Sequence, residues 1–175
     1  MTMKNIYIVG FMGTGKTVVG RALSRRLKVE FVDLDARIEE KEKETIACIF
    51  KSKGEEHFRR VEKEALSEAV ANDRSVISCG GGVVLDPANI SAMKKTGICV
   101  CLSASAEEIL RRIGVTTHRP LLHGPNPLEK IQSLLSSRDP CYRQADILID
   151  TTNLSVEEIV ALILEKLPPA IISKK

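Results

Sequence analysis

The sequence has few aromatic residues and little net charge. It contains no tryptophan, two tyrosines and four phenylalanines among 175 residues. This scarcity indicates an aliphatic core and argues against binding of single-stranded nucleic acid by aromatic stacking. The formal net charge is only +3, which is too small to indicate a nucleic-acid or membrane partner. We therefore expect neither kind of partner.

Signals for disulfides, secretion and membrane insertion are also lacking. The five cysteines form no CxxC pair. Cys79, Cys99 and Cys101 lie in strand-like apolar runs, where a reduced thiol behaves as a small hydrophobic group. No apolar run approaches the ~18 residues of a membrane span, and no signal-peptide pattern precedes the first apolar run. We predict a reduced, cytoplasmic protein, and a monomer because no apolar helical stripe is left over.

What the sequence does contain is a regular alternation of short apolar runs and helical stretches. Buried strands are predicted at residues 5–10, 30–35, 75–79, 97–102 and 146–150. Helices are predicted between and after them, at 16–27, 54–72, 86–95, 105–112, 128–144 and 155–166. This pattern predicts an α/β fold, one domain over residues 1–175, with a parallel sheet covered on both faces. Residues 168–175 are expected to fray.

In such sheets ligands bind beyond the carboxyl ends of the strands, so the residues that follow each strand are the candidates for function. The first strand is followed by "GFMGTGKT", residues 10–17. This matches GxxxxGK[ST], a loop whose N–H groups surround phosphate oxygens at a helix N-terminus. Lys16 is expected to reach the transferred phosphate, and the Thr17 hydroxyl to hold Mg²⁺. The alternative is an ordinary glycine-rich turn. The motif predicts ATP or GTP but not the phosphate acceptor.

The second strand ends in "FVDLD", which contributes two aspartates. Because they are two residues apart on a strand, Asp33 and Asp35 are expected to point to the same side. Asp33 is expected to serve Mg²⁺ through water, and Asp35 to accept a hydrogen bond or proton from an attacking hydroxyl. The alternative is that Asp35 only caps the following helix.

The helix "GEEHFRRVEKE" places Glu55, Arg59 and Glu62 on one face. Taken alone, this segment favours a solvated ion-pair cluster of little energetic value. The functional alternative is that the glutamates hold Arg59 in place to bind an anionic ligand.

Three consecutive glycines, Gly80, Gly81 and Gly82, follow the third strand. Side chains there would fill the ligand crevice, whereas glycines expose backbone N–H groups to a polar ligand. We interpret them as the floor of an acceptor pocket. A flexible hinge is the alternative.

Together, "GFMGTGKT", "DLD", "GEEHFRR" and "GGG", with the later "RPLL" and "SRDPCYRQAD", resemble the shikimate kinase family over residues 4–166. The resemblance implies a three-layer α/β/α P-loop kinase with sheet order 2-3-1-4-5, and an acceptor-binding helical region at 34–62. It implies that Asp35 holds the 3-hydroxyl of shikimate and that Arg59 and Arg138 hold its carboxylate. The backbone of residues 80–82, with Gly81 nearest, would bind the ring hydroxyls.

The resemblance also implies an ATP site and a mobile lid at residues 112–127. Arg119 in this lid would close over the phosphates and stabilise the transferred group, while Lys16, Arg119 and Asp35 would be the catalytic residues. The lid would exclude water that competes with the acceptor. The implied ATP-binding residues are Gly13, Thr14, Gly15, Lys16, Thr17, Val18, Arg112 and Arg119, and the implied metal-binding residues are Thr17 and Asp33.

The function implied is transfer of the γ-phosphoryl of ATP to the 3-hydroxyl of shikimate with Mg²⁺, in aromatic amino-acid synthesis. A related small kinase for gluconate or a nucleoside monophosphate is one alternative, although no pocket for a second base is evident. A nucleotide-binding regulatory module without catalysis is another. The presence of Asp35, Arg59 and Arg138 together favours a kinase for a compact hydroxylated carboxylate.

Overall fold

The computed structural model describes residues 4–71, 73–114 and 126–172 of the chain. Strands and helices alternate along it as the sequence predicts. The strands are β1 (Asn5–Gly10), β2 (Glu30–Asp33), β3 (Ser75–Ser78), β4 (Gly97–Ser103) and β5 (Ile147–Asp150). The helices are α1 (Lys16–Leu27), α2 (Leu34–Glu42), α3 (Ile46–Val70), α4 (Pro87–Thr96), α5 (Ala106–Ile113), α6 (Pro127–Tyr142), α7 (Val156–Lys166) and α8 (Pro169–Ile172).

All five strands are parallel and form one sheet in the order β2-β3-β1-β4-β5. This confirms the predicted order. The central strand β1 is buried along its whole length, because it has neighbours on both edges and helices on both faces. The carboxyl ends of β1, β2 and β3 therefore meet at one edge of the sheet, where the motifs of the sequence are gathered.

The hydrophobic core has two halves, one on each face of the sheet. Alternate residues of β1 supply them, since successive side chains of a strand point to opposite faces: Tyr7 and Val9 belong to one half, Ile6 and Ile8 to the other. The first half packs against helices α2 to α6, and the second against α1, α7 and α8. This arrangement confirms the three-layer α/β/α architecture.

The prediction that the cysteines of the strand-like runs are buried is confirmed. Cys79, Cys99 and Cys101 are buried free thiols. Burial raises the pKa of Cys99 and of Cys101 to about 12, so these thiols stay protonated and pack as apolar groups.

Two local predictions differ from the structure. Residues 168–172 do not fray as expected, because α8 places Ile171 in the core with only 5 % of its surface exposed. The predicted strand at 30–35 ends at Asp33, and α2 begins at Leu34. The carboxylate of Asp33 accepts hydrogen bonds from the backbone N–H groups of Asp35 and Ala36, which start the helix.

Helix α3 is interrupted at Gly54, whose backbone is non-helical with φ 83° and ψ 173°. Glycine adopts this conformation without the steric cost that a side chain would bring. The interruption separates a short segment, with Ile46 and Phe50, from the long segment that carries Arg59. Both segments face the carboxyl edge of the sheet and line the same cleft.

Candidate active site

The phosphate-binding loop between β1 and α1 has backbone conformations that require its glycines. Gly10, Gly13 and Gly15 have positive φ angles of 139°, 78° and 94°. A Cβ atom on Gly10 would also overlap with the carbonyl oxygen of Leu102. Inside the loop, the carbonyl oxygen of Phe11 accepts hydrogen bonds from Thr14 Oγ1 at 2.8 Å and from Lys16 Nζ at 2.9 Å. These bonds keep the loop folded and hold the Lys16 amino group over it.

Helix α1 begins directly after this loop and has no acidic residue in its first turn. Its N-terminal N–H groups and its dipole therefore favour an anion at this point. Gly15, Lys16, Thr17 and Val18 all line the cleft in front of the helix. Thr14 is completely buried behind the loop, so its side chain serves the loop fold, and only its backbone could contact a phosphate.

Three oxygen atoms meet where α1, β2 and β3 converge. Thr17 Oγ1 donates a hydrogen bond to Asp33 Oδ2 at 2.8 Å and lies 3.5 Å from Ser78 Oγ. The other oxygen of Asp33 caps helix α2. The sequence pairing of Thr17 with Asp33 is therefore matched by direct contact, and Ser78 is a neighbour that the sequence did not reveal.

Asp35 lies in the first turn of α2 and not on strand β2. The expectation that Asp33 and Asp35 point to one side as strand neighbours was therefore wrong, because the chain turns into a helix between them. The alternative that Asp35 caps the helix was also wrong, since Asp33 is the capping residue. The carboxylate of Asp35 lines the cleft.

The long segment of α3 holds Arg59 between two carboxylates. Arg59 donates to Glu55 Oε1 through Nη2 at 3.0 Å and to Glu62 Oε2 through Nη1 at 2.7 Å. Its guanidinium also lies over the ring of Phe58, at 5.2 Å from the ring centre. Arg59 is thus held in one position that faces the cleft, in contrast to the solvated cluster that the segment alone favoured. The next residue, Arg60, points outward with 59 % of its side chain exposed.

Glu62 is more deeply placed than the sequence indicated. It is only 1 % exposed, and its Oε1 atom is buried without a hydrogen-bond partner among the described residues. Burial raises the pKa of Glu62, and the charge of Arg59 opposes this rise. The residue also lines the cleft, so a polar ligand group there would meet an oxygen that is free to accept a hydrogen bond.

The three glycines after β3 leave space for other side chains of the site. A Cβ atom on Gly80 would lie 2.7 Å from both Asp35 Oδ1 and Glu62 Oε1, and one on Gly82 would overlap with the guanidinium of Arg59. A Cβ atom on Gly81 would make only ordinary contacts. None of the three has a positive φ angle. Gly80 and Gly82 are therefore required by crowding and not by backbone conformation, which argues against a hinge.

Helix α6 supplies Arg138, the second arginine that the family resemblance implies for the acceptor carboxylate. Arg138 is 9 % exposed, lies 5.7 Å from the centre of the Phe11 ring, and lines the cleft. One turn later, Tyr142 donates a hydrogen bond to the carbonyl oxygen of Gly81 at 2.6 Å. The sequence did not single out Tyr142.

Arg112 lies near the phosphate loop and is held there by several polar groups. Its guanidinium donates to Glu108 Oε1 at 2.7 Å, to Thr151 Oγ1 at 2.9 Å and to the carbonyl oxygen of Thr151 at 2.7 Å. It also reaches the carbonyl oxygen of Gly13 at 3.4 Å. These contacts connect α5 and the end of β5 to the phosphate loop. Arg119 and most of the predicted lid, residues 115–125, lie outside the described residues.

A single cleft of about 900 Å³ brings most of the predicted site residues together. It extends from the phosphate loop to the short segment of α3. Its walls include Gly13, Gly15, Lys16, Thr17, Val18, Asp35, Arg59, Gly80, Gly81, Gly82, Arg112 and Arg138. Thr14 and Asp33 do not line the cleft: Thr14 is fully buried, and Asp33 is partly buried. Asp35, Glu39 and Glu62 also supply three carboxylates to its lining. The cleft therefore places a phosphate-binding loop beside a pocket that contains carboxylates and two arginines, Arg59 and Arg138.

A parallel sheet in this order, with this loop at its carboxyl edge and an acceptor pocket beside it, defines a P-loop kinase of small molecules. The model of the family "Shikimate kinase" matches residues 12–168. The chain belongs to the shikimate kinase family.

Similar proteins agree with this assignment. The shikimate kinase of Thermoanaerobacter pseudethanolicus is 45 % identical over 157 residues, which cover 90 % of this chain and 92 % of the relative. That of Thermus thermophilus is 47 % identical over 163 residues, or 93 % and 89 % of the two chains.

Among solved structures, the shikimate kinase of Acinetobacter baumannii in complex with shikimate superposes with a TM-score of 0.90 at 40 % identity, covering 94 % of this chain and 92 % of that one. A gluconokinase from Sinorhizobium meliloti has a TM-score of 0.62 at 19 % identity, covering 94 % and 91 % of the two chains. This second likeness shows a shared fold alone.

Proposed function

We propose that the protein transfers the γ-phosphoryl group of ATP to the 3-hydroxyl of shikimate, giving shikimate 3-phosphate and ADP for aromatic amino-acid synthesis. The observation that carries this proposal is the arrangement of the cleft. Asp35, Arg59 and Arg138 line one part of it, and the phosphate loop lines the adjoining part. Membership of the shikimate kinase family supports the same acceptor.

The acceptor part of the cleft suits a compact, hydroxylated carboxylate. Arg59 and Arg138 offer planar guanidinium groups that bind a carboxylate through paired hydrogen bonds. Both are largely shielded from water, so their attraction for an anion is stronger than at an exposed surface. Asp35, Glu62 and the backbone of residues 80–82 offer polar atoms to hydroxyl groups. The clamp would fix the ring so that its 3-hydroxyl lies against Asp35.

The nucleotide part of the cleft suits the phosphates of ATP. The N–H groups of residues 13–17, the N-terminus of α1 and Lys16 all present positive charge at one place. Lys16 would exchange its hydrogen bond to the carbonyl oxygen of Phe11 for one to a phosphate oxygen. Arg112, held by Thr151 and Glu108, would lie beside the nucleotide.

The residues present fit Mg²⁺ as the metal ion of the reaction. Thr17, Asp33 and Ser78 supply neutral and anionic oxygen atoms, which are the ligands this ion prefers. The part of the chain that is described contains no group of three His, Cys, Asp or Glu residues that could hold a metal. Thr17 and, through water, Asp33 would therefore hold an ion that is mainly bound by phosphates. Such an ion neutralises charge on the β- and γ-phosphates.

In the transfer itself, the 3-hydroxyl oxygen forms a bond to the γ-phosphorus as the bond to the β,γ-bridging oxygen breaks. Asp35 would orient the hydroxyl and accept its proton, while Lys16 stabilises charge on the transferred group. Arg119 is proposed to add positive charge from the lid at residues 112–127. The lid, the acceptor-binding region at 34–62 and the sheet would together form one catalytic domain.

The monomeric state, the cytoplasmic location and the lack of nucleic-acid partners remain predictions. Across residues 4–71, 73–114 and 126–172, no helix has the length and apolar character needed to cross a membrane.

The test is ADP release from Mg·ATP with shikimate, gluconate or a nucleoside monophosphate as acceptor. We expect saturable turnover with shikimate alone. Turnover with gluconate or a nucleotide but not with shikimate would show that the acceptor is a different compound, while the assignment as a kinase would stand. ATP binding without turnover of any acceptor would instead indicate a regulatory nucleotide-binding module.

A further inference from the structure

Tyr142 connects helix α6 to the glycine loop. It is the last residue of the helix, is 7 % exposed, and its hydroxyl donates to the carbonyl oxygen of Gly81 at 2.6 Å. The two residues lie 61 positions apart in the chain. The hydrogen bond is therefore a tertiary contact between two walls of the acceptor pocket.

This contact supplies a hydrogen-bond donor for the carbonyl oxygen of Gly81, whereas the carbonyl oxygens of Gly80 and Gly82 find donors within the loop region. The carbonyl oxygen of Gly80 accepts from the N–H of Val83 at 3.2 Å, and that of Gly82 accepts from the N–H of Leu85 at 3.0 Å. Both are bonds of the tight turn that follows the glycines. The carbonyl oxygen of Gly81, between them, takes its hydrogen bond from Tyr142. This bond ties the middle of the glycine floor to a distant element.

The peptide geometry extends the effect of the bond to the next residue. The carbonyl of Gly81 and the N–H of Gly82 belong to one planar, trans peptide unit. A donor that fixes the carbonyl therefore also fixes the N–H, which points away from Tyr142. Glycine flanks this unit on both sides, so the backbone itself restricts the rotation of the unit weakly.

The same side chain lies beside Arg138, one helical turn earlier on α6. Burial raises the pKa of Tyr142 to about 12, although the charge of Arg138 opposes the rise. The phenol is thus protonated throughout the neutral range and can act as a donor. Tyr142 therefore contacts the loop that forms the pocket floor and neighbours an arginine of the proposed clamp.

We propose that Tyr142 is a positioning residue of the acceptor site, which fixes the Gly81–Gly82 peptide unit relative to Arg138. This inference rests on the proposed function of the cleft. Tyr142 does not contact the acceptor; it holds in place the backbone and the arginine that do. Its loss should weaken acceptor binding without affecting ATP, whose loop lies on other elements.

The test compares Tyr142→Phe with Tyr7→Phe, which makes the same chemical change at the only other tyrosine of the chain. Tyr7 is fully buried, and its hydroxyl is 2.6 Å from Thr96 Oγ1. Tyr7 lies within the central strand β1 and does not line the cleft. The Tyr7 hydroxyl also accepts a hydrogen bond from Asn5 Nδ2 at 3.2 Å. Both variants therefore lose one buried hydroxyl and its hydrogen bonding, but only Tyr142→Phe loses a bond to the pocket.

We expect Tyr142→Phe to raise the KM for shikimate about tenfold, the effect of one lost, well-formed hydrogen bond. Its kcat and its KM for ATP should stay within about twofold of wild type. Tyr7→Phe should change the melting temperature alone. Because the chain has no tryptophan, tyrosine emission offers a second readout. Shikimate should alter the emission of Tyr7→Phe, where Tyr142 is the sole tyrosine, and not that of Tyr142→Phe.

The outcomes separate this inference from the proposed function. If wild type turns over shikimate and both variants keep its KM, the positioning role is overturned while the function stands. A shikimate effect of equal size in both variants would overturn it too, because the cause would then be general destabilisation. If wild type shows no turnover with shikimate, the proposed function fails, and the assignment of Tyr142 fails with it.

Discussion

Arg59 Nη1 donates a 2.7 Å hydrogen bond to Glu62 Oε2, and the side chain of Glu62 is 2 % exposed. A charged pair this deeply placed constrains the arginine more than a surface pair would, because few other positions satisfy the buried carboxylate. Since Arg59 already pairs with both Glu55 and Glu62, a bound carboxylate would bring a third negative charge to the same guanidinium. Arg138 is then needed as the second positive group of the pocket.

Arg59→Ala is predicted to raise the KM for shikimate by about 10²-fold, because it removes half of the carboxylate clamp and leaves Glu62 uncompensated. ATP binding should persist. The measurement is steady-state kinetics with each substrate varied in turn. Arg60→Ala is the matched control, since Arg60 is 59 % exposed and forms its ion pair with Glu64 on the same helix. Similar kinetics in both variants would remove Arg59 from the clamp.

Gly82→Ala is predicted to raise the KM for shikimate by displacing Arg59, because the new methyl group would occupy the position of the guanidinium. A double-mutant cycle tests this cause. If the methyl group acts through Arg59, adding Gly82→Ala to Arg59→Ala should change the KM little further. Full additivity of the two effects would show that Gly82 acts on the acceptor independently.

Asp35→Asn and Asp33→Asn are predicted to impair different properties of the enzyme, the turnover number and the Mg²⁺ requirement. Asp35→Asn should lower kcat by about 10²- to 10⁴-fold, the usual contribution of a group that accepts a proton, with the Mg²⁺ requirement unchanged. Asp33→Asn should keep helix α2 capped, since asparagine caps as well as aspartate. It should instead increase the Mg²⁺ concentration needed for half-maximal rate. Activity measured against Mg²⁺ distinguishes the two, and unaffected turnover in Asp35→Asn would contradict the mechanism.

Glu108 is predicted to stabilise the protein in a pH-dependent way. Hydrogen bonds from Arg111 and then Arg112, against the effect of burial, lower its pKa from an ordinary 4.5 to about 2. A lowered folded-state pKa gives stability that is present above about pH 4.5 and is lost as the pH falls towards about 2. The melting temperature of Glu108→Gln should therefore lie below that of wild type at neutral pH, with the gap closing in acid.

Glu107→Gln provides the control for this effect. Glu107 lies in the same first turn of α5 and meets the same helix dipole, but it is exposed. The melting temperature of Glu107→Gln should therefore follow that of wild type across the pH range. A gap for Glu108→Gln that did not change between about pH 7 and about pH 2.5 would exclude the titration of Glu108 as the cause.

The parts of the site that the sequence predicted well are those encoded locally. The phosphate loop depends on residues within eight positions, and all three of its glycines have positive φ angles. The sheet order followed from the family resemblance. In contrast, Asp35 was assigned to a strand because a short apolar run does not show where a strand ends and a capped helix begins.

The contacts that the sequence could not predict join distant segments. Glu62 and Gly80 are 18 positions apart, and Tyr142 and Gly81 are 61 apart. Their proximity depends on how α3 and α6 pack over the sheet, and no local pattern records that packing. The crowding of Gly80 and Gly82 could not be predicted for the same reason, because the side chains that crowd these two glycines come from α2 and α3.

The crowding above Gly80 and Gly82 has a consequence for changing the substrate preference of this enzyme. The floor of the pocket has no room to be reshaped, because its charged groups already fill the space that a larger residue would take. The opposite wall is different: Ile46, Ala47 and Phe50 line the cleft from the short segment of α3, and they are apolar groups that tolerate volume-conserving exchange. Selection for new acceptors would therefore find its useful variants on that wall, and would leave Gly80 and Gly82 untouched.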